Sequence, residues 1–92
     1  MIKSFRCKKT QRLFESGQTK TWTNIKKTAE RKLIQLHAAE SLDDLKSPPG
    51  NKLEMLSRDR QGEYSIRINK KWRICFIWTD NGPKHVEITD YH

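Results

Sequence analysis

Apolar and polar residues alternate with a period of two in two stretches of the chain's second half. In Tyr64-Ser65-Ile66-Arg67-Ile68, the residues Tyr64, Ile66 and Ile68 alternate with Ser65 and Arg67. In Trp72-Arg73-Ile74-Cys75-Phe76-Ile77-Trp78, the residues Trp72, Ile74, Phe76 and Trp78 alternate with Arg73, Cys75 and Ile77. Such alternation predicts half-buried strands. Closing them through Asn69-Lys70-Lys71 sets Ile68 opposite Trp72, Ile66 opposite Ile74 and Tyr64 opposite Phe76. Every large apolar residue then falls on one face, and a one-residue slip breaks all of these pairs.

Upstream the period lengthens. Trp22, Ile25, Ala29, Leu33 and Leu36 recur every three or four residues, the stripe of an amphipathic helix over about Thr21 to Ala39. Lys26, Lys27, Arg31 and Lys32 lie mostly off that stripe and read as a solvated face, within reach of a phosphate backbone. Thr10 is the expected N-cap of a shorter helix through Ser16, with Gly17 as its stop. Ile2 to Cys7 reads as an opening strand. Ser41-Leu42-Asp43-Asp44 suits a capped extra turn. Ser47-Pro48-Pro49-Gly50-Asn51 is a break. Lys52 to Leu56 is a further strand, Asp59 to Gly62 and Asp80 to Pro83 are turns, and Val86-Glu87-Ile88 begins the last strand. The order β-α-α-β-β-β-β predicts an α+β domain over residues 1–92, an antiparallel sheet with two N-terminal helices on one face.

The chain has 92 residues, a size suited to one modest core. Nineteen Lys and Arg against eleven Asp and Glu give a net charge of +8. That excess points to nucleic acid or another polyanion, and a merely basic surface is the plainer alternative. No apolar run approaches a membrane span, and the first residues lack the apolar stretch of a signal peptide, so a cytoplasmic protein with no membrane partner is expected. Cys7 and Cys75 fit reduced thiols, and Cys75 is expected to be small and buried. His37 and His85 have no ligand partner at a useful spacing, so neither a metal nor a cofactor is expected.

The hairpin register also sets Arg67 directly opposite Arg73 on the face away from the core. Like charges there repel, which suggests an anion between them; two solvated arginines are the alternative. In the last strand His85, Glu87, Thr89 and Tyr91 share the parity opposite to Val86 and Ile88. Tyr91 therefore falls on the arginine face if the strand runs on, with His92 one step beyond. Two arginines for phosphate, a histidine for proton exchange and a tyrosine for stacking suit RNA phosphodiester cleavage by the ribose 2′-OH. Trp72 and Trp78 read as core. Asp90 either orients a neighbouring arginine or is a solvated strand-end acid.

Phe5-Arg6-Cys7, Leu36-His37-Ala38-Ala39, Ser47-Pro48-Pro49-Gly50-Asn51, Ser65-Ile66-Arg67-Ile68-Asn69, Trp72-Arg73 and Asp90-Tyr91-His92 together resemble the HigB toxins of the RelE/ParE superfamily, also called plasmid-maintenance killer proteins. The resemblance runs over essentially the whole chain. It implies a small RelE-like fold and a ribosome-dependent mRNA endonuclease acting in the 30S A site. It also implies a HigA-like helix-turn-helix antitoxin as partner, the complex binding operator DNA. By the resemblance Arg67 and Arg73 hold the scissile phosphate, while Tyr91 and His92 position RNA and take part in proton transfer. Lys52, Glu54, Arg58, Arg60, Lys70 and Lys71 are the candidate RNA contacts around them. Some relatives carry a histidine and a lysine where this chain has Glu54 and Ser57. The base is thus left open among Glu54, His92, or no single residue with the ribosome assisting. A non-catalytic basic module that binds ribosomal RNA and a ParE-like gyrase-directed toxin are the competing functions.

Overall fold

The computed structural model describes residues 1–56 and 62–90. The expected turn residues Asp59, Arg60 and Gln61, together with Arg58, Tyr91 and His92, lie outside them. The two helices are α1 (Lys8–Ser16) and α2 (Lys26–Ala38). A short 3₁₀ turn, Thr23–Ile25, leads into α2. The strands are β1 (Glu54–Met55), β2 (Glu63–Arg67), β3 (Arg73–Thr79) and β4 (Gly82–Thr89). They form one antiparallel sheet in the order β1-β2-β3-β4. Among the described residues no helix is long and apolar enough to cross a membrane.

The hairpin register is the one the alternation requires. Tyr64 pairs with Phe76, Ile66 with Ile74 and Arg67 with Arg73. Asn69 closes the turn, its Oδ1 accepting the N–H groups of Lys71 at 2.8 Å and Trp72 at 2.7 Å. The helices lie over the Ile66, Ile74, Phe76, Val86 and Ile88 face, and their Leu13, Ala29, Leu33 and Leu36 belong to the same buried cluster. Each aliphatic side chain so buried contributes roughly 1.5–3 kcal/mol. Trp22 is buried and meets the partly buried Trp72 edge to face, with centroids 6.0 Å apart. Trp72 and Trp78 border the core rather than fill it.

Several expectations change. α1 starts at Lys8, two residues before Thr10. Thr10 is no N-cap: it is buried and its Oγ1 accepts the Ile88 N–H at 3.0 Å, tying α1 to β4. Gly17 does end the helix, at φ 71°, with its N–H on the Leu13 carbonyl. The opening strand shrinks to a single parallel bridge between Phe5 and Val86. The expected strand from Lys52 is only Glu54–Met55, because Lys52 takes a left-handed backbone, φ 43°. In β4 a bulge sets His85 and Val86 against Phe76 alone, with His85 at φ 53°. At the last hairpin Gly82 has φ 121°, and a Cβ there would come within 2.5 Å of the Met1 carbonyl oxygen. Any side chain at that position would push the N-terminus off the sheet.

Lys32 departs most from its expected place. It is buried, not solvated, and its Nζ donates to Oδ1 of the fully buried Asn51. Burial holds its ammonium below the ordinary lysine value.

Candidate active site

The face of the sheet away from the helices carries the polar parity of β2, β3 and β4. Ser65 pairs with Cys75 and Cys75 with Glu87, while Arg67 pairs with Arg73 and Arg73 with Thr89. Glu54 pairs with Ser65, so β1 delivers its carboxylate to the same face. Cys75 is buried, as a small thiol packed in the sheet. Alternation alone puts these groups together, since neighbouring strands share parity at paired positions.

The two facing arginines diverge. Arg67 turns toward the hairpin, its Nε donating to the Asn69 carbonyl at 3.1 Å. Arg73 lies down over β2. Its Nε donates to Ser65 Oγ at 2.7 Å, and its Nη2 donates to the Lys52 carbonyl at 2.7 Å. The Glu54 carboxylate stands 3.3 Å from that same Nη2. The Arg73 side chain is only 13% exposed, whereas Glu54 is 56% exposed. A solvated pair of arginines is therefore not what the chain builds. Arg73 is a clamped cation, and the anion expected near it has a protein occupant in Glu54. Arg67, with its hydrogen bond to the Asn69 carbonyl, is the less tethered of the two.

Beside this lies a second charge cluster that periodicity missed. Arg6 bridges two carboxylates, Nη2 to Glu63 Oε1 at 3.0 Å and Nη1 to Glu87 Oε2 at 2.8 Å. Its hydrogen bond to Glu63 raises its already high pKa further. Arg6 thus offsets one of the two negative charges that Glu63 and Glu87 bring to the arginine face. Arg6→Ala is expected to take the guanidinium from the buried Glu63 carboxylate and from Glu87, and to lower stability by about 2 kcal/mol, less than a fully enclosed pair because Arg6 is partly solvated. Thermal unfolding at neutral pH measures it, and an unchanged midpoint would contradict this account of Glu63.

The remaining candidates sit at the margins. Lys52 is exposed, as is Lys70. Lys71 is exposed too, with its Nζ 5.2 Å from the centre of the Trp72 ring and 4.0 Å from Asp90. Asp90 is thus a partner of a lysine among the described residues. Arg58, Arg60, Tyr91 and His92 fall outside those residues. His37 is structural: its Nδ1 accepts the Ile2 N–H at 3.1 Å, and its ring lies 5.2 Å from that of Phe14. Ser65 had a legible signal, being the diagonal neighbour of Arg73 across the ladder.

A family model described as a RelE-like toxin of type II toxin-antitoxin system HigB matches residues 3–92. An uncharacterized protein of Haemophilus influenzae is 39% identical over 72 residues, 76% of this chain and 71% of that protein. Toxin HigB-1 of Vibrio cholerae is 43% identical over 58 residues, 63% of this chain and 61% of that protein. Endoribonuclease HigB of Proteus vulgaris is 32% identical over 94 aligned positions, covering 100% of both chains.

Proposed function

The chain belongs to the HigB-like family of RelE-like toxins from type II toxin-antitoxin systems, and on that premise we propose that it is an endoribonuclease cleaving translated mRNA in the ribosomal A site. The observation that carries the reading is the clamped Arg73 guanidinium with a carboxylate beside it, on the sheet face it shares with Arg67. A phosphate that takes the place of Glu54 on Arg73 meets a donor already oriented for it, with Arg67 closing from the facing strand as it leaves the Asn69 carbonyl. Glu54, displaced by a small side-chain rotation, then stands next to the ribose of the scissile nucleotide.

In the proposed reaction Glu54 takes the proton of the 2′-OH. The O2′–P bond forms, and negative charge builds on the nonbridging oxygens facing Arg73 and Arg67. The P–O5′ bond breaks, and the leaving oxygen takes a proton from His92, with Tyr91 stacking on a base. The products are a 2′,3′-cyclic phosphate and a 5′-OH end. The reading uses only protein groups and RNA, and requires no cofactor. Lys52, Lys70 and Lys71, with Arg58 and Arg60, supply sequence-independent phosphate contacts. A family of this kind works with an antitoxin. The proposed partner is a HigA-like helix-turn-helix protein through which the pair reaches operator DNA, all in the cytoplasm.

With few reacting groups of its own, the enzyme relies on the ribosome to position the message. The expected result is rapid cleavage of mRNA on programmed ribosomes and little cleavage of the same mRNA alone, measured by mapping 5′ ends. Equally fast, site-selective cutting of free mRNA would contradict ribosome dependence. Binding without any cutting would favour the non-catalytic RNA-binding module.

A further inference from the structure

Arg73 is held by acceptors from two different parts of the fold. Ser65 Oγ belongs to β2, inside the sheet. The Lys52 carbonyl belongs to the turn before β1, and nothing in the ladder sets its direction. That carbonyl points at Arg73 because Lys52 adopts φ 43° and ψ 57°, with its N–H on the Pro49 carbonyl at 3.1 Å. The residue before it, Asn51, is fully buried and anchors the turn from beneath. Its Nδ2 donates to the Leu45 carbonyl at 3.1 Å, the Ser47 carbonyl at 3.3 Å and Gln35 Oε1 at 3.2 Å. Its Oδ1 accepts from Lys32 Nζ. An ammonium can only donate, so Lys32 fixes which way the Asn51 amide faces. The amide in turn fixes the turn that carries Lys52.

A buried cation facing a neutral amide is a costly way to fasten a turn. An apolar side chain of the same length fills the space without the desolvation cost. We propose that Lys32 and Asn51 are positioning residues for Arg73: through the Pro49–Lys52 turn they aim the Lys52 carbonyl that locks the guanidinium for the scissile phosphate. The catalytic meaning rests on the endoribonuclease reading, whereas the clamp itself does not.

Two measurements on the full-length protein test this. The first is a double-mutant cycle between Lys32→Met and Arg73→Ala, read as single-turnover cleavage on programmed ribosomes at saturation. Lys32→Met is expected to slow cleavage by about 10-fold when Arg73 is present, a loss of alignment rather than of the cation. It should add nothing when Arg73 is already alanine. Equal slowing in both backgrounds would assign Lys32 a purely structural role and overturn the proposal. The second is nuclear magnetic resonance of the Arg73 side chain in the free protein. The clamped Nη2 should give hindered rotation about the Nε–Cζ bond, and Lys32→Met should release it. A guanidinium equally hindered in both proteins would also overturn the proposal. If the unsubstituted protein fails to cut RNA on ribosomes, the functional reading falls, and the resonance measurement still decides the clamp. Should Lys32→Met not fold, Asn51→Asp replaces it. That change keeps a partner for Lys32 but loses the donors to Leu45, Ser47 and Gln35, and the same two readouts apply with the same expected signs.

Discussion

Arg73→Ala should slow single-turnover cleavage on programmed ribosomes by about 10²–10³, the usual cost of one preorganised donor to a developing anion. Ribosome affinity should fall far less, because many other cations share the RNA contact. The physical reason lies in how Arg73 is held. Ser65 Oγ and the Lys52 carbonyl occupy Nε and one hydrogen of Nη2 in the free protein. The guanidinium therefore needs little reorganisation as charge builds on the phosphate, so its contribution is larger in the transition state than in the ground state. Arg73→Lys should recover only part of the rate, since an ammonium cannot satisfy the Ser65 and Lys52 acceptors and grip phosphate in the same plane. Because alanine leaves those acceptors without their donor, thermal unfolding must accompany the kinetics, with an expected loss of about 1–3 kcal/mol. Loss of ribosome binding with the saturated cleavage rate intact would make Arg73 an anchor and end its catalytic assignment.

Glu54→Gln should move rate and affinity in opposite directions. The substitution keeps the shape of the side chain and removes its capacity to take a proton. Loss of a general base costs typically 10²–10⁴ in rate, so a fall of about 10² is expected here. The carboxylate also competes with RNA phosphate for Arg73 Nη2, 3.3 Å away. An uncharged amide competes less, so binding to ribosomes should be equal or tighter, most visibly at low salt. The rival account treats Glu54 as a placeholder that merely keeps Arg73 occupied until RNA arrives. On that account Glu54→Gln binds tighter and cuts as fast as the unsubstituted protein. Measuring the saturated rate and the affinity together separates the two.

The strand pairing of the hairpin, the one-sided core and the meeting of Arg67 with Arg73 are consequences of period alone. Side-chain parity in a strand has two values, and only one register turns Tyr64, Ile66, Ile74 and Phe76 to the core side together. The α2 stripe is equally local, because a 3.6-residue repeat needs no partner to be recognised. The resemblance to HigB toxins likewise came from short residue groups spread along the chain, and the family match over residues 3–92 agrees with it.

What periodicity could not reach is every contact made across the fold by a polar side chain. Lys32 lies next to the apolar stripe and reads as solvated. Only the buried Asn51, 19 residues on, draws it inward. Arg6 finds Glu87 at a separation of 81 residues, through a bridge that brings Phe5 beside Val86. Thr10 reads as a cap until β4 passes close enough to donate to it. Above all, the pattern placed the head of Arg73 on the right face but left it free, whereas the fold fastens it to Ser65 and Lys52. A hydrophobic pattern determines which face a residue takes, since burial is non-directional and scales with area. Which way a charged head then turns depends on where fixed hydrogen-bond acceptors stand, and only the tertiary structure sets those positions.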